Sequence, residues 1–177
     1  MLRILGKVQR IGIVTEPLPP PDRAVLEEVG ERLKARIGEA FGGSLAIREV
    51  DAGSCNGCEL EIHGLNNPYY GIERFGVHFV ASPRHADLLL VTGPVSRHME
   101  AALRRTYEAT PDPKLVIAVG ECGANGGEFG VNYASCGAVA NVIPVDAVIR
   151  GCPPTPLDLM LGLLEAIGRR PAWEPPR

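Results

Sequence analysis

No stretch of this sequence stays apolar for the ~18 residues that a bilayer-spanning helix needs, so no segment is expected to cross a membrane. Basic residues are not massed either. The 18 Lys and Arg stand against 21 Asp and Glu, and a formal net charge of −3 gives nucleic acid nothing to bind. The opening M-L-R-I-L-G-K-V-Q-R-I-G-I-V has no long apolar core and no small-residue cleavage site, so an export signal is not expected. Without export the five cysteines stay reduced, which disfavours a disulfide framework and leaves metal ligation or core packing. What the chain does have is 177 residues, 45% of them apolar, enough for one globular domain with a core.

Residues 1–21 read as an N-terminal arm and a Pro-rich connector. The arm mixes Arg3, Lys7 and Arg10 with Leu2, Leu5 and Val8, suited to covering a partner or lying on a membrane surface; an edge strand over Ile11–Val14 is the other reading. Pro17 and Pro19–Pro21 make a stiff connector. Asp22 is the expected N-cap of a helix whose apolar positions Val25, Leu26, Val29, Leu33, Ile37 and Phe41 recur at helical spacing. Leu45–Val50, Leu88–Val91, Leu115–Val119 and Ala147–Ile149 are strand candidates, with a shorter one at Phe79 and Val80. Ser96 caps a helix with Met99, Leu103 and Tyr107 on one face. Thr155, Pro156 and Asp158 open the last helix, with Leu157, Met160, Leu161 and Leu164 as its expected core face. Strands alternating with helices predict an α/β domain over residues 22–167 with a mostly parallel sheet, and residues 168–177 read as a tail containing Trp173.

Such sheets bind ligands at the carboxyl ends of their strands. Three cysteine segments follow strand candidates: D-A-G-S-C-N-G-C-E-L-E-I with Cys55 and Cys58, G-E-C-G-A with Cys122, and R-G-C-P-P with Cys152. A structural zinc site usually pairs two close couples of ligands, whereas Cys122 and Cys152 are singletons. Thiolates converging from separate loops suit the larger cube of a 4Fe–4S cluster. Iron–sulfur, zinc and unliganded thiols all remain open at this point, with iron–sulfur favoured. Cys136, among small apolar neighbours, reads as a buried core thiol.

The G-E-C-G-A-N-G-G loop does not fit G-x-G-x-x-G and carries no Lys for phosphates. Glu59 and Glu61 follow the cysteine pair. Glu61, between Leu60 and Ile62, is the preferred candidate for a semi-buried proton relay, and Glu59 reads equally well as a solvated carboxylate. Arg84, in A-S-P-R-H-A-D, is a candidate for tuning a negatively charged centre by Coulomb attraction, and neighbouring His85 is a weaker one.

C-N-G-C-E-L-E, S-P-R-H-A-D-L-L-L-V-T-G-P-V, V-G-E-C-G-A-N-G-G and P-V-D-A-V-I-R-G-C-P-P together resemble the family of complex I 20 kDa subunits and NiFe-hydrogenase small subunits, over about Val50 to Ile167. The resemblance implies a flavodoxin-like three-layer sandwich and one 4Fe–4S cluster held by Cys55, Cys58, Cys122 and Cys152, with no ligand role for Cys136. The spaced C-x-x-C followed by an acidic residue, together with T-G-P-V, is similar to the hydrogenase side, since complex I subunits usually place two cysteines adjacently. No further cysteine modules follow, which resembles the small subunits of membrane-bound, energy-converting hydrogenases of the formate hydrogenlyase type. Thr155 departs from relatives that place Arg after G-C-P-P. The resemblance implies an electron-transfer subunit that is cytoplasmic and peripheral on the membrane. Its implied partners are a NiFe-hydrogenase-like catalytic large subunit, a ferredoxin-like iron–sulfur subunit and integral membrane subunits. Passage of electrons to quinone, as in complex I, is the alternative.

Overall fold

The structure is a computed structural model that describes residue 10 and residues 23–169. Apart from residue 10, the arm lies outside the described residues, as do the connector, the Asp22 cap and Trp173. The domain begins with helix α1 (Arg23–Phe41) and strand β1 (Leu45–Asp51), followed by α2 (Gly57–Gly64) and β2 (Val77–Phe79). Next come β3 (Leu88–Thr92), the two-residue β4 (Val95–Ser96) and α3 (Arg97–Ala109). The chain continues through β5 (Leu115–Val119), the short α4 (Gly120–Asn125), β6 (Ser135–Gly137), β7 (Ala147–Ile149) and α5 (Pro156–Gly168).

Five of these strands form one sheet in the order β2-β1-β3-β5-β7, every pair parallel. Counted within that sheet the order is 2-1-3-4-5, the flavodoxin-like winding, whose direction reverses between β1 and β3. Alternation along the strands sorts the core into two layers. Leu88 and Leu90 of β3 and Leu115, Ile117 and Val119 of β5 join the cluster under α1, α2 and α5. Leu89, Val91, Val116 and Ala118 join Leu103 of α3 on the other face. A strand buried on both sides cannot alternate with polar residues, which is why β3 and β5 read as unbroken apolar runs.

Carboxylates finish the sheet at its amino edge. Asp87 Oδ2 accepts from Ala46 N–H at 2.9 Å while the Asp87 N–H donates to Ala46 O at 2.8 Å. Asp146 repeats this with Val116, at 2.8 and 2.9 Å. These two residues of the S-P-R-H-A-D and P-V-D motifs therefore serve the fold. On the first face, Phe75 is fully buried against α1, where a Cβ at Gly30 would overlap its ring.

The caps at Ser96 and Thr155 form as expected. Ser96 Oγ accepts from Met99 N–H, and Thr155 and Asp158 make a reciprocal capping box. The core face of α5 forms in part as expected. Met160 is buried and Leu157 and Leu164 pack half-buried against the core, but Leu159, Leu163 and Ile167 are buried as well and Leu161 is 41% exposed. The helix is apolar on most of its circumference, so periodicity alone does not select a face. The stretch 142–145 forms no strand, and the β4–β6 antiparallel pair was not expected.

Candidate functional site

Each cysteine segment leaves the carboxyl edge of the sheet. Asp51 ends β1 and shapes the turn that follows, its Oδ1 accepting from Gly53 N–H at 2.8 Å and Ser54 N–H at 2.9 Å. Asn56 takes a left-handed conformation at φ 71°, and the chain then enters α2 with Cys58 in its first turn. Cys122 sits in the first turn of α4, directly beyond β5, where a loop was expected. Cys152 follows β7 by three positions, before α5. Cys58 and Cys122 thus both sit in the first turn of a helix, where backbone N–H groups lack intrahelical partners and the dipole is positive.

Two contacts tie the single-cysteine segments together. The Glu121 N–H donates to Gly151 O at 3.0 Å. Arg150 pairs with Glu121 at 2.9 Å, so the residues next to Cys122 and two before Cys152 cross-link the segments. The sequence reading passed over this pair; its only trace is an acidic and a basic residue beside separate cysteines. Glycines pack on the sulfurs. A Cβ at Gly120 would stand 2.7 Å from Cys58 Sγ, one at Gly127 2.7 Å from Cys122 Sγ, and one at Gly57 3.5 Å from Cys55 Sγ.

All four thiols are free, Cys58 buried, Cys122 half-buried, and Cys55 and Cys152 exposed. Burial pushes the Cys58 thiol up to about 12, and the charges of Glu59, Cys55, Cys122 and Cys152 add to the effect. Burial also raises Cys122, followed by Cys152, Cys55, Glu121 and Glu128. The four sulfurs thus lie within one another's field in an acidic surround. Among the described residues no three His, Cys, Asp or Glu side chains are grouped so as to hold one metal ion.

A raised thiol pKa means that folding favours the neutral form. That stability is complete below the ordinary pKa of 9.0 and is lost as pH climbs towards about 12. With free thiols, the urea midpoint of the chain is expected to fall progressively across that window. Tyr70, also raised by burial, contributes in the same direction. Repeating the urea series on Cys58→Ala isolates the cysteine's share.

Glu61 is half-buried, as expected, and its charge acts on Tyr70. Glu59 is the buried carboxylate, 7% exposed, while Leu60 is 62% exposed. Arg84 and His85 occupy an exposed 3-10 turn (Pro83–His85) that leads to the amino end of β3, whereas the cysteine segments follow the carboxyl ends of β1, β5 and β7. Cys136 is a buried core thiol in β6, as expected, its Sγ donating to Glu100 Oε2 at 3.3 Å.

A doubly wound sheet with four thiols at its carboxyl edge defines a flavodoxin-like domain with a cysteine-lined rim. Residues 55–166 match the family model described as NADH ubiquinone oxidoreductase, 20 Kd subunit, and the chain belongs to that family. It is 40% identical to formate hydrogenlyase subunit 7 of Escherichia coli K12 over 168 residues, covering 95% of this chain and 63% of that protein, less than two thirds of its length. It is 44% identical to the probable membrane-bound hydrogenase subunit mbhJ of Pyrococcus furiosus over 140 residues, covering 77% of this chain and 84% of that protein. Among solved structures, a chain of the membrane-bound sulfane sulfur reductase (MBS), an archaeal respiratory membrane complex, aligns with TM-score 0.62 and 33% identity, covering 86% of this chain and 80% of that one. The relatives are thus subunits of oxidoreductase complexes of the hydrogenase and complex I type. Among the described residues no helix is long and apolar enough to cross a membrane.

Proposed function

We propose that this chain is the electron-transfer small subunit of a membrane-associated NiFe-hydrogenase-type complex, with one 4Fe–4S cluster held by Cys55, Cys58, Cys122 and Cys152. The observation that carries the reading is the convergence of those four thiols, from three segments, on one edge of the sheet, within each other's field. The donor set fits the group. Thiolates are the usual ligands of such clusters, and ligands arriving from separate segments suit a cube with iron at each corner. Gly120 and Gly127 leave space that a side chain would fill against two of the sulfurs.

When bound, the cluster supplies one-electron transfer. The chain's own residues do the rest. The helix starts at Cys58 and Cys122 offer dipoles and N–H groups to negatively charged sulfur, which tunes potential. The Arg150–Glu121 pair fixes the spacing of the Cys122 and Cys152 segments. Burial of Cys58 keeps water from one side, while exposed Cys55 and Cys152 leave the opposite side for a catalytic large subunit to cover. Glu61 and Arg84 remain candidates for proton relay and tuning, Glu61 half-buried on α2 three positions after Cys58 and Arg84 exposed where a partner can meet it. A ferredoxin-like subunit and integral membrane subunits complete the proposed assembly, with this chain peripheral on the cytoplasmic side.

Mild purification of the tagged full chain from its own cells tests the reading. The expected result is a brown complex whose visible absorbance bleaches on reduction, with four iron per chain and nickel in a co-purifying large subunit. Zinc without iron would overturn the cluster. Iron without nickel would move the terminal acceptor to quinone or another oxidant.

A further inference from the structure

Beside the cysteine rim, on the α2 face of the sheet, lies a cavity of about 540 Å³ between α2 and the ends of β1 and β2. Its walls carry Glu49, Asp51 and Glu59, with Arg48 and His63. Glu59 is 93% buried, and neither of its carboxylate oxygens has a hydrogen-bond partner; Glu49 Oε1 is buried and unpartnered as well. Asp51 is already engaged by the backbone of the cysteine turn. His63 and Arg48 line the same cavity and the charges of both reach Glu49, His63's the more strongly, but among the described residues neither makes an ion pair with these carboxylates. A buried unpaired carboxylate is costly, and such groups in native structures ordinarily meet a cation.

We propose that this cavity receives a guanidinium group, an arginine side chain presented by a partner subunit. The carboxylates come from different elements, Glu49 from β1 and Glu59 from α2, and are not grouped to ligate one ion. A compact metal ion would need them drawn together. A guanidinium spreads five donors over a planar fork, which suits carboxylates that stand on separate elements better than a compact ion does. Ile62 and Phe79 supply apolar wall for the plane of the group. The source follows from position. Glu59 adjoins Cys58, and a chain covering the exposed Cys55 passes over this part of α2. The inference therefore rests on the subunit reading above.

The test is arginine footprinting of the intact complex with phenylglyoxal, read by mass spectrometry. Wild type is compared with Glu59→Gln, Glu49→Gln and the pair, all isosteric changes that leave the packing in place. One partner arginine is expected to be shielded in wild type and to react about tenfold faster or more in the double variant. Glu61→Gln, on the same helix but outside the cavity, is expected to leave the footprint unchanged. An assembled complex in which no partner arginine responds would overturn this inference alone. Absence of any partner from the wild-type purification would overturn it together with the subunit reading.

Discussion

Cys58→Ser is expected to empty the cluster site and reduce electron transfer through the complex by about 100-fold or more, beyond the 10–100-fold typical of losing an outer partner. Cys58 is the only buried thiol of the four, held in the first turn of α2 with Gly120 packed on its sulfur. Serine oxygen is a harder and far less acidic donor than sulfur, and burial suppresses its ionisation further. The fold itself should survive, since serine is smaller than cysteine and the segment's turn depends on Asp51. Iron per chain and the visible absorbance are the primary measurements, with hydrogen-linked dye reduction as the functional one. Cys136→Ser is the internal comparison. Its sulfur points into the opposite core layer and donates to Glu100, so that variant is expected to keep its iron. Loss of iron in both variants, or in neither, would contradict the assignment.

Where one physical signal dominated, the sequence was readable. β3 and β5 are buried on both faces, so nothing but apolar residues could stand there, and the strands announce themselves. The Thr155–Asp158 box is a local device whose chemistry is complete within four residues. The cysteine rim was legible because three segments follow strand ends, and a parallel sheet brings such ends to one edge. Reading failed where burial depends on how an element rolls on its neighbour. Leu60 and Ile62 suggested a semi-buried Glu61, and Glu61 is half-buried, but Glu59, which reads equally well as solvated, lies deeper, because α2 turns Glu59 and Ile62 inward and Leu60 out. Arg84 was linked to the site by motif alone. The tertiary path puts it in the approach to the amino end of β3, while the cysteine segments leave the carboxyl edge. The short β4–β6 pair has too few residues to show any period, and it depends on Ala134 O accepting from Arg97 N–H and on the turn at Asn132.

Gly120→Ala should separate the cost of the fold from the cost of holding the cluster. Gly120 turns β5 into α4 at φ +77°, a conformation that costs an L-residue about 1–2 kcal/mol. The added Cβ would also stand 2.7 Å from Cys58 Sγ and 3.4 Å from Gly151 O. In a chain with free thiols the sulfur can rotate away, so the urea midpoint should report little more than the backbone cost. In a loaded chain a ligating sulfur has no alternative rotamer, and the collision must displace either α4 or the ligand. Iron retention under a chelator is therefore expected to drop about tenfold or more while the free-thiol chain loses about 1–2 kcal/mol. Gly123→Ala provides the contrast, one turn along the same helix. Its Cβ would meet nothing nearer than Val91 O at 3.4 Å, an ordinary contact, and the position has no positive φ. Equal losses of iron from the two variants would mean that α4 tolerates no side chain at all, and that proximity to Cys58 is not the cause. A loss confined to Gly120→Ala, repeated at Gly127, whose Cβ would crowd Cys122 Sγ in the same way, would tie both effects to sulfurs held fixed.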